Sequence, residues 1–146
     1  MYKVKQIYRF LFTIVLLSCS FSSLAEQSQS FNNLEVHYIA LPSTFLQPDI
    51  AKYYGIKRSK YTGFINISVL DKDADSKAIS AQMSGSGRNL IGQIENLVFK
   101  EIKEADAIYY IAVYPFTNEE IVDFTIEIEA QDTSNTLKFR HKFYVN

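Results

Sequence analysis

The chain contains no tryptophan and only one cysteine, Cys19, which lies close to the N-terminus. A domain that begins after the first 25 residues would therefore contain no cysteine, even in an oxidising compartment where disulfides are permitted. Disulfides, thiol catalysis and cysteine-ligated metals are excluded from such a domain. Its core must be held by packing alone, and eight Phe and eight Tyr remain after residue 25 for that purpose.

Histidine is also scarce, with only His37 and His141. A Ser-His-acid catalytic set needs a histidine, and a catalytic zinc site needs three protein ligands. His141 falls on the apolar face of its segment, between Phe139 and Phe143, which is typical of a core residue rather than a catalytic base. No serine stands in a Gly-x-Ser-x-Gly context. The sequence therefore predicts a protein that is not an enzyme and that has no cofactor.

The first 25 residues have the three-part order of a secretory signal peptide. A basic head without any acidic residue precedes an apolar block at 10–17, and small residues lead to Ala25. The block is shorter than the roughly 20 apolar residues that span a bilayer. We expect cleavage between Ala25 and Glu26, and a periplasmic product without a transmembrane segment.

A second interpretation gives Cys19 a role. The run Leu16-Leu17-Ser18-Cys19 loosely resembles a bacterial lipobox, in which the cysteine becomes the lipidated first residue. Leu17 is uncommon at its position in that motif, and the sequence after Cys19 continues as an ordinary cleavage region. These two observations favour cleavage at Ala25, and a lipid anchor at Cys19 remains the alternative.

Cleavage would also change the net charge. The full chain has 15 Lys and Arg against 16 Asp and Glu, and three of the basic residues leave with the signal peptide. The remaining 12 basic and 16 acidic residues give a charge of −4. A mildly acidic protein lacks the basic face that nucleic acids require, so we expect no nucleic-acid partner.

Beyond a polar N-terminal lead at 26–32, apolar residues recur with a period of two, which indicates β-strands. Seven segments share this pattern, at 34–40, 61–70, 78–85, 95–103, 107–116, 121–130 and 136–145. Segment 107–116 is apolar on both faces and is predicted to be a central, doubly covered strand. We predict an all-β fold, an immunoglobulin-like two-sheet antiparallel sandwich of about seven strands, forming one domain at 33–146 with one short helix.

Two hairpins are predicted at the C-terminal side of the chain. Segments 95–103 and 107–116 are expected to pair across Glu104-Ala105-Asp106. Segments 121–130 and 136–145 are expected to pair across the turn residues 132–135, one strand showing acids and the other bases. That register would place Glu129 near Lys138 and Glu127 near Arg140.

One segment, 47–55, breaks the strand pattern and is typical of a short helix. Pro48 suits the first helical position and Gly55 suits a left-handed C-terminal residue. The i, i+3, i+4 spacing predicts that Ile50, Tyr53 and Tyr54 form its buried side.

Two further motifs have simple structural interpretations. The glycine-containing run 85–92 lacks the spacing of the dinucleotide fingerprint and the Lys-Ser/Thr of the Walker loop, so we expect a strand-connecting loop. The acids at 71–75 begin like a calcium loop, but Ser76 and Gln82 stand where that loop needs glycine and glutamate. A solvated turn is the expected structure there.

Several segments in order resemble the bacterial domain of unknown function 4426 (DUF4426) family. The resemblance covers the chain from about Phe31 to its end and implies an exported protein of Gram-negative bacteria, without an assigned activity, ligand or functional residue. The segments that carry it are 35–38, 43–48, 51–60, 66–70, 89–93, 107–110, 118–120 and 142–145.

The helix and the loop after it form the candidate binding site. Its aromatic and apolar members and its basic members are the residue types of interface hot spots, and Asp49 is the only acid among them. They are Phe45, Leu46, Tyr53 and Tyr54 with Lys52, Lys57, Arg58 and Lys60. We call this set the helix–loop surface.

The hypothesis is a non-enzymatic binding or accessory module that docks a protein partner in the cell envelope through this surface. The competing interpretation is that the aromatic residues cap one open end of the sandwich and the bases solvate the loop. An alternative function is the binding or sensing of a small apolar ligand between the sheets, which the many Phe and Tyr residues would permit.

Overall fold

The computed structural model describes residues 26–145, so the predicted signal peptide, the Ala25 cleavage position and Cys19 lie outside or at the border of the described residues. Ten strands and one α-helix occupy residues 26–145. They are β1 Gln27–Phe31, β2 Leu34–Pro42, α1 Pro48–Tyr54, β3 Thr62–Asp71, β4 Lys77–Ala78, β5 Gln82–Asn89, β6 Ile94–Leu97, β7 Lys100–Glu104, β8 Ala107–Pro115, β9 Glu120–Ala130 and β10 Thr133–Phe143.

The strands form two antiparallel sheets. Sheet A has the order β1-β2-β3-β8-β7, with β4 added to the end of β3, and sheet B has the order β10-β9-β5-β6. The predicted all-β, two-sheet sandwich with one short helix is therefore confirmed. The strand count is higher than the predicted seven because 27–31 is a strand, β4 is separate from β5, and segment 95–103 is split into β6 and β7.

The core lies between the two inner faces and follows the period-two pattern. The inward residues of β9, from Val122 to Ile128 in alternation, are almost fully inaccessible to solvent. Leu137 and Phe143 of the adjacent strand β10 belong to the same core, and Ile65 of β3 joins it from sheet A. Phe143 stacks on Phe116 with ring centroids 4.5 Å apart. Aromatic and branched side chains thus fill the space between the sheets, which is what a core without disulfides requires.

The hairpin of β7 and β8 confirms the predicted turn at 104–106. Strand β8 lies between β3 and β7, as predicted for a central strand, but its outer face is covered only in part: Ile111 is buried there, whereas Val113 is 46% exposed. The predicted polar lead at 26–32 differs from the structure, because Gln27–Phe31 pair with β2 as an edge strand. An edge strand can be polar since it has little core to contact.

The register of β9 and β10 was predicted wrongly. Their turn consists of Gln131 and Asp132, both with positive φ, as in a type I′ turn, rather than of residues 132–135. Glu129 therefore faces Ser134 instead of Lys138. Arg140 faces Asp123 instead of Glu127, with Nε and Nη2 donating to the two carboxylate oxygens at 2.7 and 2.8 Å.

The prediction of a loop at 85–92 is also wrong for the first half of that run. Gly85 to Asn89 belong to β5, which lies between β9 and β6, and only 90–93 form the connecting turn. Gly87 is needed for packing here, because a Cβ on it would lie 2.5 Å from Cε2 of Tyr114 and 2.8 Å from Cε1 of Phe124. The close approach of a ring from sheet A explains a glycine in the middle of a strand.

The connections gather at two ends of the sandwich. The β2–β3, β5–β6 and β8–β9 connections lie at one end, called here the β5–β6 end. The β1–β2 and β9–β10 turns lie at the opposite end, called the β9–β10 end. At that end Asp71 accepts hydrogen bonds from Asp73 N and Gln131 Nε2, and these bonds hold the pKa of Asp71 below its usual range. Residues 72–74 form a single 3₁₀ turn, in agreement with the turn predicted for 71–75.

Candidate partner-binding surface

The helix α1 has the predicted ends but a different buried side. Pro48 is its first residue, and Gly55 ends it with φ of 73°. Ala51 is the fully buried residue, whereas Ile50 is 40% and Tyr53 is 69% exposed. The prediction that Ile50 and Tyr53 are buried is therefore wrong. The small Ala51 lets the helix backbone approach the sheet, and Ile50 and Tyr53 then point outward.

The helix lies on the outer face of sheet A. Ala51 and Ile56 pack there against Phe64 of β3 and Ile111 of β8, forming a second, smaller core. The chain needs this cover because β3 and β8 have apolar residues on both faces. The insertion between β2 and β3 is therefore part of the fold, and it covers a face of the sandwich rather than one of its ends.

Hydrogen bonds hold the segment 43–61 in a defined shape. The buried Ser43 Oγ donates to Ser59 O and accepts from Ser59 N, both at 3.0 Å. Arg58 Nη2 donates to Thr44 O at 2.8 Å. Two widely separated parts of the loop are thus joined, and the exposed side chains are displayed on a fixed backbone.

Tyr54 and Leu46 take part in internal contacts. The Tyr54 hydroxyl donates to Glu104 Oε1 at 3.1 Å, and Lys100 Nζ donates to the Tyr54 carbonyl at 3.3 Å. Burial raises the pKa of Tyr54, and its hydrogen bond to the Glu104 carboxylate raises it further. Leu46 packs against the smaller core. These two residues of the helix–loop surface hold the helix on the sheet.

The other members of the surface are open to solvent. Phe45 is 53% exposed, and it is accompanied by Tyr53 and by Tyr61, which the sequence had not indicated. All four bases of the surface, Lys52, Lys57, Arg58 and Lys60, are exposed, and within residues 26–145 none of them forms an ion pair. Lys60 Nζ lies 5.3 Å from the centre of the Tyr61 ring, a cation–π distance.

A family model described as a domain of unknown function, DUF4426, matches residues 28–146. The chain belongs to the DUF4426 family. A crystal structure of a DUF4426 family protein from Pseudomonas aeruginosa is 36% identical, with a TM-score of 0.74, and the match covers 83% of this chain and 96% of that one. The family resemblance stated from sequence segments is thereby confirmed.

Two FetP structures from uropathogenic Escherichia coli strain F11 have the same fold as this DUF4426 chain. One is copper-bound, with 14% identity and a TM-score of 0.58, covering 82% of this chain and 95% of that one. The other, expressed in the periplasm, has 14% identity and a TM-score of 0.60, with 82% and 94% coverage. No curated protein matches the chain. Among the described residues, no helix is long and apolar enough to cross a membrane.

The two histidines of this DUF4426 protein are far from forming one site. His37 lies on the outer face of sheet A, 3.8 Å from Glu26 and 3.7 Å from Glu35. His141 faces inward from sheet B, where its ring meets Phe143 edge to face at 4.5 Å. Burial lowers the pKa of His141, as expected for a histidine held neutral among aromatic residues.

The β5–β6 end of the DUF4426 domain carries features that the sequence reasoning did not single out. The turn 90–93 and strand β6 expose Leu90, Ile91 and Ile94, and a cleft of about 530 Å³ lies beside them, lined by Tyr114, Glu95 and Glu120 among others. The sequence predicts only a strand-connecting loop at 85–92. The acids and the tyrosine are distant in sequence, so no local spacing could have indicated that they meet.

Proposed function

We propose that this DUF4426 protein is exported to the periplasm and acts there as a non-enzymatic module that binds an acidic surface of another cell-envelope protein. The observation that carries the proposal is the helix–loop surface: exposed Phe45 and Tyr53 stand beside four bases that have no ion-pair partner among the described residues. Aromatic anchors next to Arg and a polar rim are typical of protein interfaces.

Export is supported by the N-terminal sequence, with its basic head, apolar block and small residues before Ala25. After residue 25 the chain has more acidic than basic residues, but the helix–loop surface is basic. Asp49 is the only acid in it. Charge complementarity then favours a partner with an acidic patch, because it speeds association and excludes basic partners.

The rigid display of the surface also supports binding. The hydrogen bonds of Ser43 with Ser59 and of Arg58 with Thr44 keep the loop backbone in one shape before any partner arrives. Little further ordering is then needed when Tyr53 and Phe45 are covered, which lowers the entropic cost of association.

A non-enzymatic role is favoured by the placement of His37 and His141 on different sheets and opposite faces. Copper is not included in the proposal, although one FetP structure contains it. Within residues 26–145, no three His, Cys, Asp or Glu side chains converge so that they could hold a metal ion. The similarity to FetP therefore contributes the fold alone.

The alternative function, an apolar ligand between the sheets, has less support. The inter-sheet space is filled by residues such as Phe124, Ile126 and Phe143, with at most 1% exposure. Two clefts of about 520 and 530 Å³ lie at the two ends of the sandwich and have partly polar linings.

Photocrosslinking in cells tests the proposal. A photoreactive residue is placed at Tyr53, and the matched control carries it at Lys138, an exposed position of β10 on the other sheet. We expect a discrete adduct with one envelope protein from Tyr53 and none from Lys138. Adducts from Lys138 without any from Tyr53 would overturn the assignment of the surface.

Charge-reversal variants form the second part of the crosslinking experiment. Lys57→Glu combined with Lys60→Glu should abolish the Tyr53 adduct, whereas Lys138→Glu should leave it unchanged, because only the first pair opposes an acidic partner. An adduct that survives the double reversal at full yield would show that the bases of the helix–loop surface do not contribute to recognition.

A further inference from the structure

A cleft of about 530 Å³ lies at the β5–β6 end of the sandwich, away from the outer face that carries the helix. Its walls come from both sheets: Tyr114 and Pro115 end β8, Asn89 ends β5, and Glu95 lies in β6. The exposed Ile94 and Pro115 line it together with polar side chains such as Gln93. Two of the segments that resemble the DUF4426 family, 89–93 and 118–120, meet here.

Tyr114 is a polar side chain of this cleft whose hydroxyl has no hydrogen-bond partner among the described residues. The residue as a whole is 3% exposed, its hydroxyl makes no hydrogen bond to any residue in 26–145, and that oxygen is open to the cleft rather than enclosed by protein. Its ring is fixed edge to face against Phe124, with centroids 5.3 Å apart, and Gly87 leaves the space for it. The ring is buried while its hydroxyl opens onto the cleft without a protein partner, so the hydroxyl is free to hydrogen-bond a ligand.

Two carboxylates share the cleft with that hydroxyl. Glu120 is held in place, since its Oε1 accepts from Asn89 Nδ2 at 2.8 Å and its Oε2 accepts from Thr117 N at 2.6 Å. Glu95 lies opposite Gly87 and so shares the inner face of sheet B with it. Burial raises the pKa of Tyr114, and the charges of Glu120 and Glu95 raise it further.

Neither carboxylate has a cationic partner among the described residues. The ion pairs found among residues 26–145 all involve other acids. One of them joins Lys142 to Glu119, the residue before Glu120. The site therefore combines two carboxylates with a phenol oxygen that can accept a hydrogen bond, next to the apolar side chain of Ile94. That combination suits a cation that carries N–H donors on an apolar stem.

We propose that this cleft binds an organic ammonium or guanidinium group, with the cation placed between Glu95, Glu120 and the Tyr114 hydroxyl. The apolar stem of the ligand lies against Ile94 and Pro115. The same chemistry is present in a free amine and in a lysine or arginine side chain of another protein. A metal ion fits less well, because no three ligating side chains converge within the described residues.

The β9–β10 end supplies an internal comparison. Its cleft of about 520 Å³ also contains acids, Glu129 and Asp132, but no tyrosine. If charge alone attracted cations, the two clefts would bind amines equally. If the Tyr114 hydroxyl and its fixed neighbours make the site, only the β5–β6 end binds them.

The test is an NMR titration of the exported protein, residues 26–146, with n-butylammonium at low ionic strength. We expect saturable shifts of the Gln93, Thr117 and Tyr114 amides and none at Glu129. Tyr114→Phe and Glu95→Gln should each weaken binding about tenfold, the effect of one charge-assisted hydrogen bond. Glu129→Gln, the control in the other cleft, should leave the affinity unchanged.

Two further probes test whether binding needs N–H donors and whether the natural ligand is a free amine or a protein side chain. Tetramethylammonium has no N–H donor and should not saturate the site. Nα-acetyl-lysine methylamide binding more tightly than n-butylammonium would identify a protein side chain as the better fit, and weaker binding would identify a free amine. Both results support the site.

The proposal is overturned if no probe gives saturable shifts in this cleft, or if tetramethylammonium binds as well as n-butylammonium. It is also overturned if Glu95→Gln, an exposed substitution that does not threaten the fold, retains the parent affinity. That last variant keeps the test decisive even if Tyr114→Phe proves unstable.

Discussion

The hydroxyl of Tyr110 donates a hydrogen bond of 2.6 Å to Glu101 Oε2. The hydroxyl oxygen of Tyr110 also accepts a hydrogen bond of 2.7 Å from the backbone N–H of Ala81. Ala81 lies in the segment that leads from β4 in sheet A to β5 in sheet B. A single buried phenol therefore ties the crossover between the sheets to the β7–β8 hairpin.

Tyr110→Phe should lower the free energy of unfolding by about 1 to 3 kcal/mol, because it leaves the Ala81 N–H without its partner while preserving the ring. Urea denaturation measures the change. Tyr109→Phe is the control, since the described residues make no hydrogen bond to that hydroxyl, and it should have less effect. Equal losses from both variants would contradict the role assigned to Tyr110.

The Tyr110 hydroxyl also predicts a pH dependence. Burial and then the hydrogen bond to Glu101 raise the pKa of Tyr110 to about 12, from 10.0 for an unperturbed tyrosine. The folded state favours the protonated phenol, so its contribution is complete below pH 10 and is lost as the pH rises from 10 to 12. The stability difference between the parent and Tyr110→Phe should therefore be constant at neutral pH and shrink above pH 10. If the stability difference between the parent and Tyr110→Phe grew above pH 10, it would contradict the predicted direction of the pH dependence.

The docking of the helix can be broken at its one fully buried residue. Ala51→Asp would place an unpaired carboxylate against Phe64 and Ile111 and should cost about 2 to 4 kcal/mol of stability. Limited proteolysis should then cut within 43–61. Lys52→Asp changes the exposed neighbouring residue and should remain resistant. Resistance of Ala51→Asp would mean that the helix is not held through this contact.

Two glycines should respond differently to substitution. Gly87→Ala should cost about 1 to 3 kcal/mol by overpacking against Tyr114 and Phe124, and should shift the Tyr114 resonances.

Gly55→Ala meets no atom within 4 Å but must adopt a φ of +73°, which costs about 1 to 2 kcal/mol. Asparagine tolerates that backbone, so Gly55→Asn should recover stability, whereas Gly87→Asn should be worse than Gly87→Ala. Thermal denaturation separates the two causes.

The processing of the N-terminus provides the last prediction. We expect a mass that begins at Glu26, without lipid. Strand β1 begins at Gln27, so cleavage after Ala25 leaves every described strand complete. A mass that begins at Cys19 with attached acyl chains would instead establish a membrane-tethered form. Substitution of Cys19 by Ser should leave the first product unchanged and abolish the second.

The strands and the helix ends were predictable because they depend on neighbours in the sequence. Alternation from Val122 to Ile128 indicated an inward face, and Pro48 and Gly55 marked the helix termini. The register of β9 and β10 was not predictable in the same way. It depends on two residues, Gln131 and Asp132, that adopt positive φ although neither is glycine.

The candidate surface was predictable in composition but not in exposure. Tyr53 and Tyr54 are adjacent and similar, yet one is exposed and the other is bonded to Glu104. That difference depends on β7, a strand about 50 residues further along the chain. The Tyr114 cleft was missed for the same reason, because Glu95 and Glu120 reach it from separate strands.

The sequence by itself therefore determined an all-β chain with a cysteine-free core, the position of one short helix, and its membership of a family. Composition, period-two alternation and residues such as Pro48 and Gly55 act locally, so they can be interpreted without a fold. Only the tertiary structure decided which strands pair, that Ala51 rather than Ile50 faces sheet A, and that Tyr114 meets two carboxylates. Those relationships arise from packing between distant segments, where the competing arrangements differ by contacts that no single segment contains.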